Sequence, residues 1–133
     1  MAPARRKPAI AITRPDHETL TRLADSYASR NSGLAEELYT ELDRARIVAA
    51  GPAGRNIVRI GSSLRFTTDA GEDRTVTLVL PGEADIAAGK VSVMTPIGIA
   101  LIGLSSGQSM DWTARDGRSH KLTVISVEAG EGA

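Results

Sequence analysis

The side chains with the most chemical capacity are few in this sequence, and their spacing restricts what they can do. His17 and His120 stand far apart, and the chain contains no cysteine. Disulfides and thiolate chemistry are therefore excluded, and neither a zinc site nor a histidine-based nucleophilic relay has enough partners. Both histidines are expected at the surface. Four carboxylates gather at Glu36, Glu37, Glu41 and Asp43. Carried into an active site, such a group would hold a metal ion. Helical spacing instead turns Glu36 away from the leucine stripe and sets Glu37 and Glu41 beside it, which reads as a solvated acidic face. The run from Gly98 to Ser105 has the glycine spacing of a phosphate loop, but Leu104 occupies the position of the required lysine. Those glycines are expected to pack a helix rather than cradle phosphate. No catalytic residue, metal or cofactor is expected. What remains is Met94 to Leu104, where a proline after a strand opens an almost uniformly apolar run. It suits a core, and its Met94-Thr95-Pro96-Ile97 start suits an apolar lip offered to a partner.

The elements that must carry these residues fall into two modules. Leu20, Leu23, Ala24 and Tyr27 recur at i, i+3, i+4 and i+7, so 15–28 reads as a helix, with Thr13 as its cap and Pro15 in its first turn. Asn31-Ser32-Gly33 breaks it, and Leu34, Leu38, Leu42 and Ala45 define a second helix over 34–48. The pair forms a short antiparallel hairpin, about 20 Å long at 1.5 Å per residue. Residues 49–54, Ala-Ala-Gly-Pro-Ala-Gly, mark a linker. Beyond it, 64–67 and 74–80 read as a strand hairpin around Asp69-Ala70-Gly71, and Ala84 to Ala88 as one helical turn. Lys90 to Met94 is a third strand and Pro96 to Leu104 a short helix. Residues 110–114 and 120–127 are strands joined through Asp116-Gly117. The expected fold class is α+β: a helical hairpin, then a small twisted antiparallel sheet over 55–128 with one helix against it. A basic flexible tail (1–14) and a short tail (129–133) complete the chain.

Charge and composition narrow the function. The chain has 133 residues and zero formal net charge, with aromatics at only 3%. An aromatic-lined ligand pocket has little to draw on, so no small-molecule substrate is expected. Four bases (Arg5, Arg6, Lys7, Arg14) and no acid occupy 1–14, whereas 15–48 is acidic. A body that grips nucleic acid carries a basic module; here direct nucleic-acid contact is expected, if anywhere, only from the tail. No apolar run is long enough to span a bilayer and no signal peptide is recognisable, which sets the expectation of a soluble cytoplasmic protein.

Two stretches carry a family resemblance. KVSVMTPIGIALIGLSSGQSMDW, from Lys90 to Trp112, resembles the carboxy-terminal domain of the GreA/GreB transcription elongation factors, and VRIGSSLRFTTDAGEDRTVTLVLPGEADIAAGKVSV, from Val58 to Val93, follows the same domain in order. EELYTELDRARIV, from Glu36 to Val48, is similar to the Rnk group, regulators of nucleoside diphosphate kinase, in which a short hairpin replaces the long Gre coiled coil. The resemblance implies an FKBP-like fold for 55–128 without prolyl isomerase activity. It also implies docking on bacterial RNA polymerase at the rim of the secondary channel, through the loop around the proline: Met94, Thr95, Pro96 and Ile97. Gre cleavage activity depends on acidic residues at the tip of a long finger, whereas Arg30-Asn31-Ser32-Gly33 forms the tip of a stub here. The implied function is a non-enzymatic regulator that competes with Gre-type factors without stimulating transcript cleavage. Two alternatives stand beside it: transcript cleavage with Glu36 and Glu37 as magnesium partners, and modulation of nucleoside diphosphate kinase levels.

Overall fold

The computed structural model describes residues 8–49, 56–113 and 117–128. Helix α1 (Arg14–Tyr27) starts where the sequence requires: the Thr13 hydroxyl accepts from the Asp16 amide and Pro15 sits in the first turn. Helix α2 (Ser32–Arg44) is capped by the Asn31 side chain, which accepts from the Leu34 amide at 3.2 Å. The two helices pack antiparallel with Leu20, Ala24, Leu38 and Leu42 buried.

The amino-terminal segment departs from expectation. Ala11–Thr13 forms strand β1, paired in parallel with β2 (Arg46–Val48), and Ile10, Ala11, Ile12 and Thr13 are all buried. The basic residues suggested a flexible tail through residue 14. The alternating Ala9-Ile10-Ala11-Ile12 run overrides that composition by giving the segment apolar surface to bury. For the same reason α2 stops at Arg44 rather than Val48: the chain turns extended at Ala45 so that β2 can meet β1. The expected linker lies, apart from Ala49, outside the described residues, as does most of the Asp116-Gly117 turn.

Five strands build the main sheet: β3 (Ser63–Thr68), β4 (Asp73–Val79), β5 (Lys90–Ser92), β6 (Ser109–Thr113) and β7 (Ser119–Glu128). Their order is β5-β4-β3-β7-β6. All neighbours are antiparallel except β4 and β5, so the sheet is mixed rather than purely antiparallel. The cause lies in the crossover. Two short 3₁₀ turns, Pro81–Glu83 and Ile86–Ala88, replace the single helical turn expected there. They bring the chain back to enter β5 in the direction of β4. Strand alternation is clean: Leu64, Phe66, Val76, Leu78, Leu122 and Val124 point inward. On the other face hydroxyls pair across strands, Ser63 with Thr77 at 2.9 Å and Ser109 with Thr123 at 2.8 Å.

Helix α3 (Pro96–Leu101) fills the concave side, shorter than the run to Leu104 that the apolar pattern suggested. The hairpin and the sheet share one continuous hydrophobic core, in which Leu20, Leu38 and Leu42 join Val58, Leu101, Ile102 and Leu104. Polar ties reinforce the joint. The Ala11 amide donates to the Gly103 carbonyl at 3.2 Å, and the Ile60 amide to the Asp16 carboxylate at 3.2 Å. No helix among the described residues is long and apolar enough to cross a membrane.

Candidate docking groove

Where α2, α3 and β6 converge, a groove of about 120 Å³ opens. Its α3 wall is held by local chemistry. The Thr95 hydroxyl accepts from the Gly98 amide at 3.0 Å and donates to the Ser92 carbonyl at 2.8 Å, fixing the helix start against the end of β5. Pro96 then occupies the first turn, where its missing N–H is no loss. Gly98 lets α3 lie directly on the backbone: a Cβ there would stand 2.3 Å from the Ser92 oxygen. This is the packing role expected of it in place of phosphate binding.

Pro96, Ile99 and Ala100 form the α3 side, Met110 and Trp112 the β6 side, and Glu37 with Thr40 the α2 side. Glu41, buried at 3% exposure, closes the base. Its carboxylate takes two hydrogen bonds from the Arg44 guanidinium, at 2.7 and 3.1 Å. Arg44 also donates to the Pro8 carbonyl and contacts the Met110 sulfur at 3.6 Å, so this one ion pair links α2, the amino-terminal segment and the sheet. The Trp112 ring lies 5.6 Å from that of His120, and its indole N–H is buried without an acceptor among the described residues.

The structure thus divides the residues singled out in the sequence. Of the four lip residues, Met94 is withdrawn into the core at 5% exposure, where the chain bends after β5 and leaves the strand alternation that buries Val91 and Val93. It offers a partner nothing. The Thr95 hydroxyl is committed to its cap, while Pro96 and Ile97 are half-buried and partly open. Of the acidic face, Glu36 and Glu37 are exposed, but Glu41 is not solvated: it turns inward to meet Arg44. Pro96 and Glu37, assigned to different modules, come to line the same groove. Neither histidine is a plain surface residue. His17 Nε2 lies 3.3 Å from the Leu42 carbonyl between the helices, and His120 Nδ1 lies 3.5 Å from Asp69. Sequence reasoning missed Trp112, Thr40 and Met110, whose only signal was a lone tryptophan on a strand two residues after Met110.

The hairpin tip carries no open carboxylate cluster. Asp25, in the last turn of α1, accepts a hydrogen bond from the Tyr39 hydroxyl, which holds that phenol above its usual pKa. The Arg30 guanidinium stacks 4.2 Å above the Tyr27 ring. No three metal-ligating side chains come together among the described residues.

A family model described as the carboxy-terminal region of transcription elongation factor GreA/GreB matches residues 53–129, and one described as the Rnk N-terminus matches residues 8–48. The chain belongs to the GreA/GreB family. Its hairpin module is of the Rnk type, and the Rnk match ends with β2. The chain is 32% identical to the regulator of nucleoside diphosphate kinase of Escherichia coli strain K12, across 92% of this chain and 90% of that one. It is 34% identical to transcription elongation factor GreA of Thermodesulfovibrio yellowstonii, across 90% and 78% respectively. Among solved structures, a transcription elongation factor GreA/GreB from Nitrosomonas europaea superimposes with a TM-score of 0.70 at 28% identity, covering 90% of this chain and 99% of that one.

Proposed function

We propose that this family member is a regulator that binds bacterial RNA polymerase at the rim of the secondary channel and competes there with Gre-type factors without stimulating transcript cleavage. One contrast carries the reading. The half-open Pro96-Ile97 edge of α3 is available to a partner, while the hairpin is only about 20 Å long and turns through Arg30 and Asn31, with Asp25 on the α1 side of the turn engaged by Tyr39. Competition needs shared surface and no catalytic group. The test is capture of core RNA polymerase by the wild type and by Pro96→Asp, followed by displacement with a GreA factor. Pro96 is at a helix start, where aspartate is tolerated, so the variant is expected to fold. Loss of capture by the variant and mutual displacement by GreA support the reading. Equal capture by both proteins removes Pro96 from the interface.

The exposure of Glu36 and Glu37 one turn into α2 favours a second reading, a cleavage-assisting factor. It requires shortening of RNA in backtracked complexes, abolished in Glu36→Ala/Glu37→Ala. Modulation of nucleoside diphosphate kinase, the role named for the Escherichia coli relative, is read as an indirect effect through transcription. Titration of the kinase with purified protein separates a direct effect from an indirect one.

A further inference from the structure

The groove between hairpin and sheet has a chemical character that the lip alone does not. Apolar Ile99, Ala100 and Met110 line its inner part beside the buried, Arg44-paired Glu41, and Glu37 and Asp111 line it as well. No lysine or arginine lines it among the described residues. The nearby Arg44 charge is already matched by Glu41. Glu37 is exposed and makes no ion pair among the described residues, so its charge faces outward uncompensated. At about 120 Å³ the space lies well below the roughly 300–1,000 Å³ of small-molecule sites. It admits a side chain, not a nucleotide.

We propose that this groove is a composite recognition site, built from both modules, for a helical protein segment that inserts one apolar side chain and sets a lysine or arginine one turn away against Glu37. The inference rests on the polymerase-docking reading and adds to it the chemistry of the partner and the direct participation of the hairpin. The shared core and the Arg44 ties hold Glu37 at a fixed position relative to Pro96, which lets a single partner helix read both. The hairpin is then a specificity element and not only an obstruction. A basic segment is selected, and an acidic one is repelled by the same carboxylate.

The experiment measures affinity for core RNA polymerase with the wild type, Glu37→Lys and Glu36→Lys. Both glutamates are exposed on α2, so both variants are expected to keep the fold, and matching urea melts confirm it. Only Glu37 lines the groove. Charge reversal there is expected to weaken binding about tenfold and to flatten its salt dependence, with Glu36→Lys within about twofold of wild type. If Glu37→Lys binds within twofold of wild type, the composite site is overturned while docking through Pro96 stands. If the wild type does not bind polymerase, the docking reading falls, and the groove is tested by two synthetic helical peptides with one leucine flanked by arginines or by glutamates. Trp112, the only tryptophan in the chain, reports occupancy by its emission. A shift with the arginine peptide alone supports the groove chemistry; no shift, or the same shift with both, overturns it.

Discussion

Replacing Gly98 by alanine separates two opposed effects whose sizes differ enough to fix the sign. Within a helix the substitution is ordinarily favourable, by about 1 kcal/mol of propensity, part of it from restricting the unfolded chain. At this position the added Cβ would stand 2.3 Å from the Ser92 oxygen, 2.8 Å from the Val93 Cα and 2.9 Å from the Val93 oxygen. All three are backbone atoms of β5 and the residue that follows it, so no side chain can swing aside. Non-bonded carbon atoms settle at about 3.5–4.0 Å, so α3 would have to retreat by about 1 Å. It would carry Pro96 and Ile99 with it. Overpacking of a rigid site costs about 1–3 kcal/mol and sometimes more; with backbone on the far side the cost belongs at or above the upper end. The net expectation is destabilisation by about 2 kcal/mol, or a fall in Tm of roughly 8 °C at about 4 °C per kcal/mol. Urea melts at constant m-value provide the assay. Gly82 is the control, because its Cβ would meet nothing within 4 Å and its φ is ordinary; Gly82→Ala is expected to be neutral or mildly stabilising. A Gly98→Ala protein as stable as wild type would refute the close approach of α3 to β5 and, with it, the account of how the Pro96 edge is held.

Other expectations follow from the joint between modules and from the surface. Arg44→Ala leaves the buried Glu41 carboxylate without its bidentate partner and is expected to cost about 2–3 kcal/mol, reduced from the fully buried case because Arg44 retains some exposure; unchanged urea stability would contradict the assignment. A fragment beginning at residue 56 loses the apolar cover that Ile10, Ile12 and Leu42 give the shared core. It is expected to show no cooperative thermal transition, and a sharp one would mean that the sheet module is autonomous. Arg65 grips the Asp73 carboxylate through two hydrogen bonds, at 2.9 and 2.7 Å, and holds its pKa below the usual carboxylate value. The folded pKa is therefore the lower one. The stabilisation is present above the unfolded value and is lost as pH falls through the folded value. Asp73→Asn should remove that small acid dependence, and a carboxyl NMR titration of Asp73 with a midpoint at or above that of an unstructured peptide would exclude the pairing.

Local pattern determined a great deal here. The stripe Leu20-Leu23-Ala24-Tyr27, with its Thr13 cap, specified α1 to within a residue, and Asn31 marked the turn that α2 starts from. Alternation around Leu64-Phe66 and Val76-Leu78 identified two central strands, since the pleat sends alternate side chains to one face. The family resemblance was legible at Lys90–Trp112 because that segment combines a Ser-Val strand, a Thr-Pro pair, a small apolar helix ending in glycine and a glycine-containing turn in fixed order. Strand direction was not legible: nothing in Pro81–Gly89 says whether the chain enters β5 with β4 or against it, because both pairings use the same alternation. Composition also misled at the amino terminus, where the basic residues hid Ile10 and Ile12, and at Glu41, which periodicity alone left beside the stripe.

The sequence by itself therefore determined the two hairpin helices and the main strands, that chemistry-bearing clusters are scarce, and which family the chain resembles, because those properties are written in neighbours a few residues apart. Only the tertiary structure decided that Met94 is sealed and Pro96 is not, that Glu41 turns inward to Arg44, and that Glu37 shares a groove with Trp112. Each of those outcomes depends on surfaces brought together from distant parts of the chain, where burial of a common core, and not local preference, sets which side chains meet.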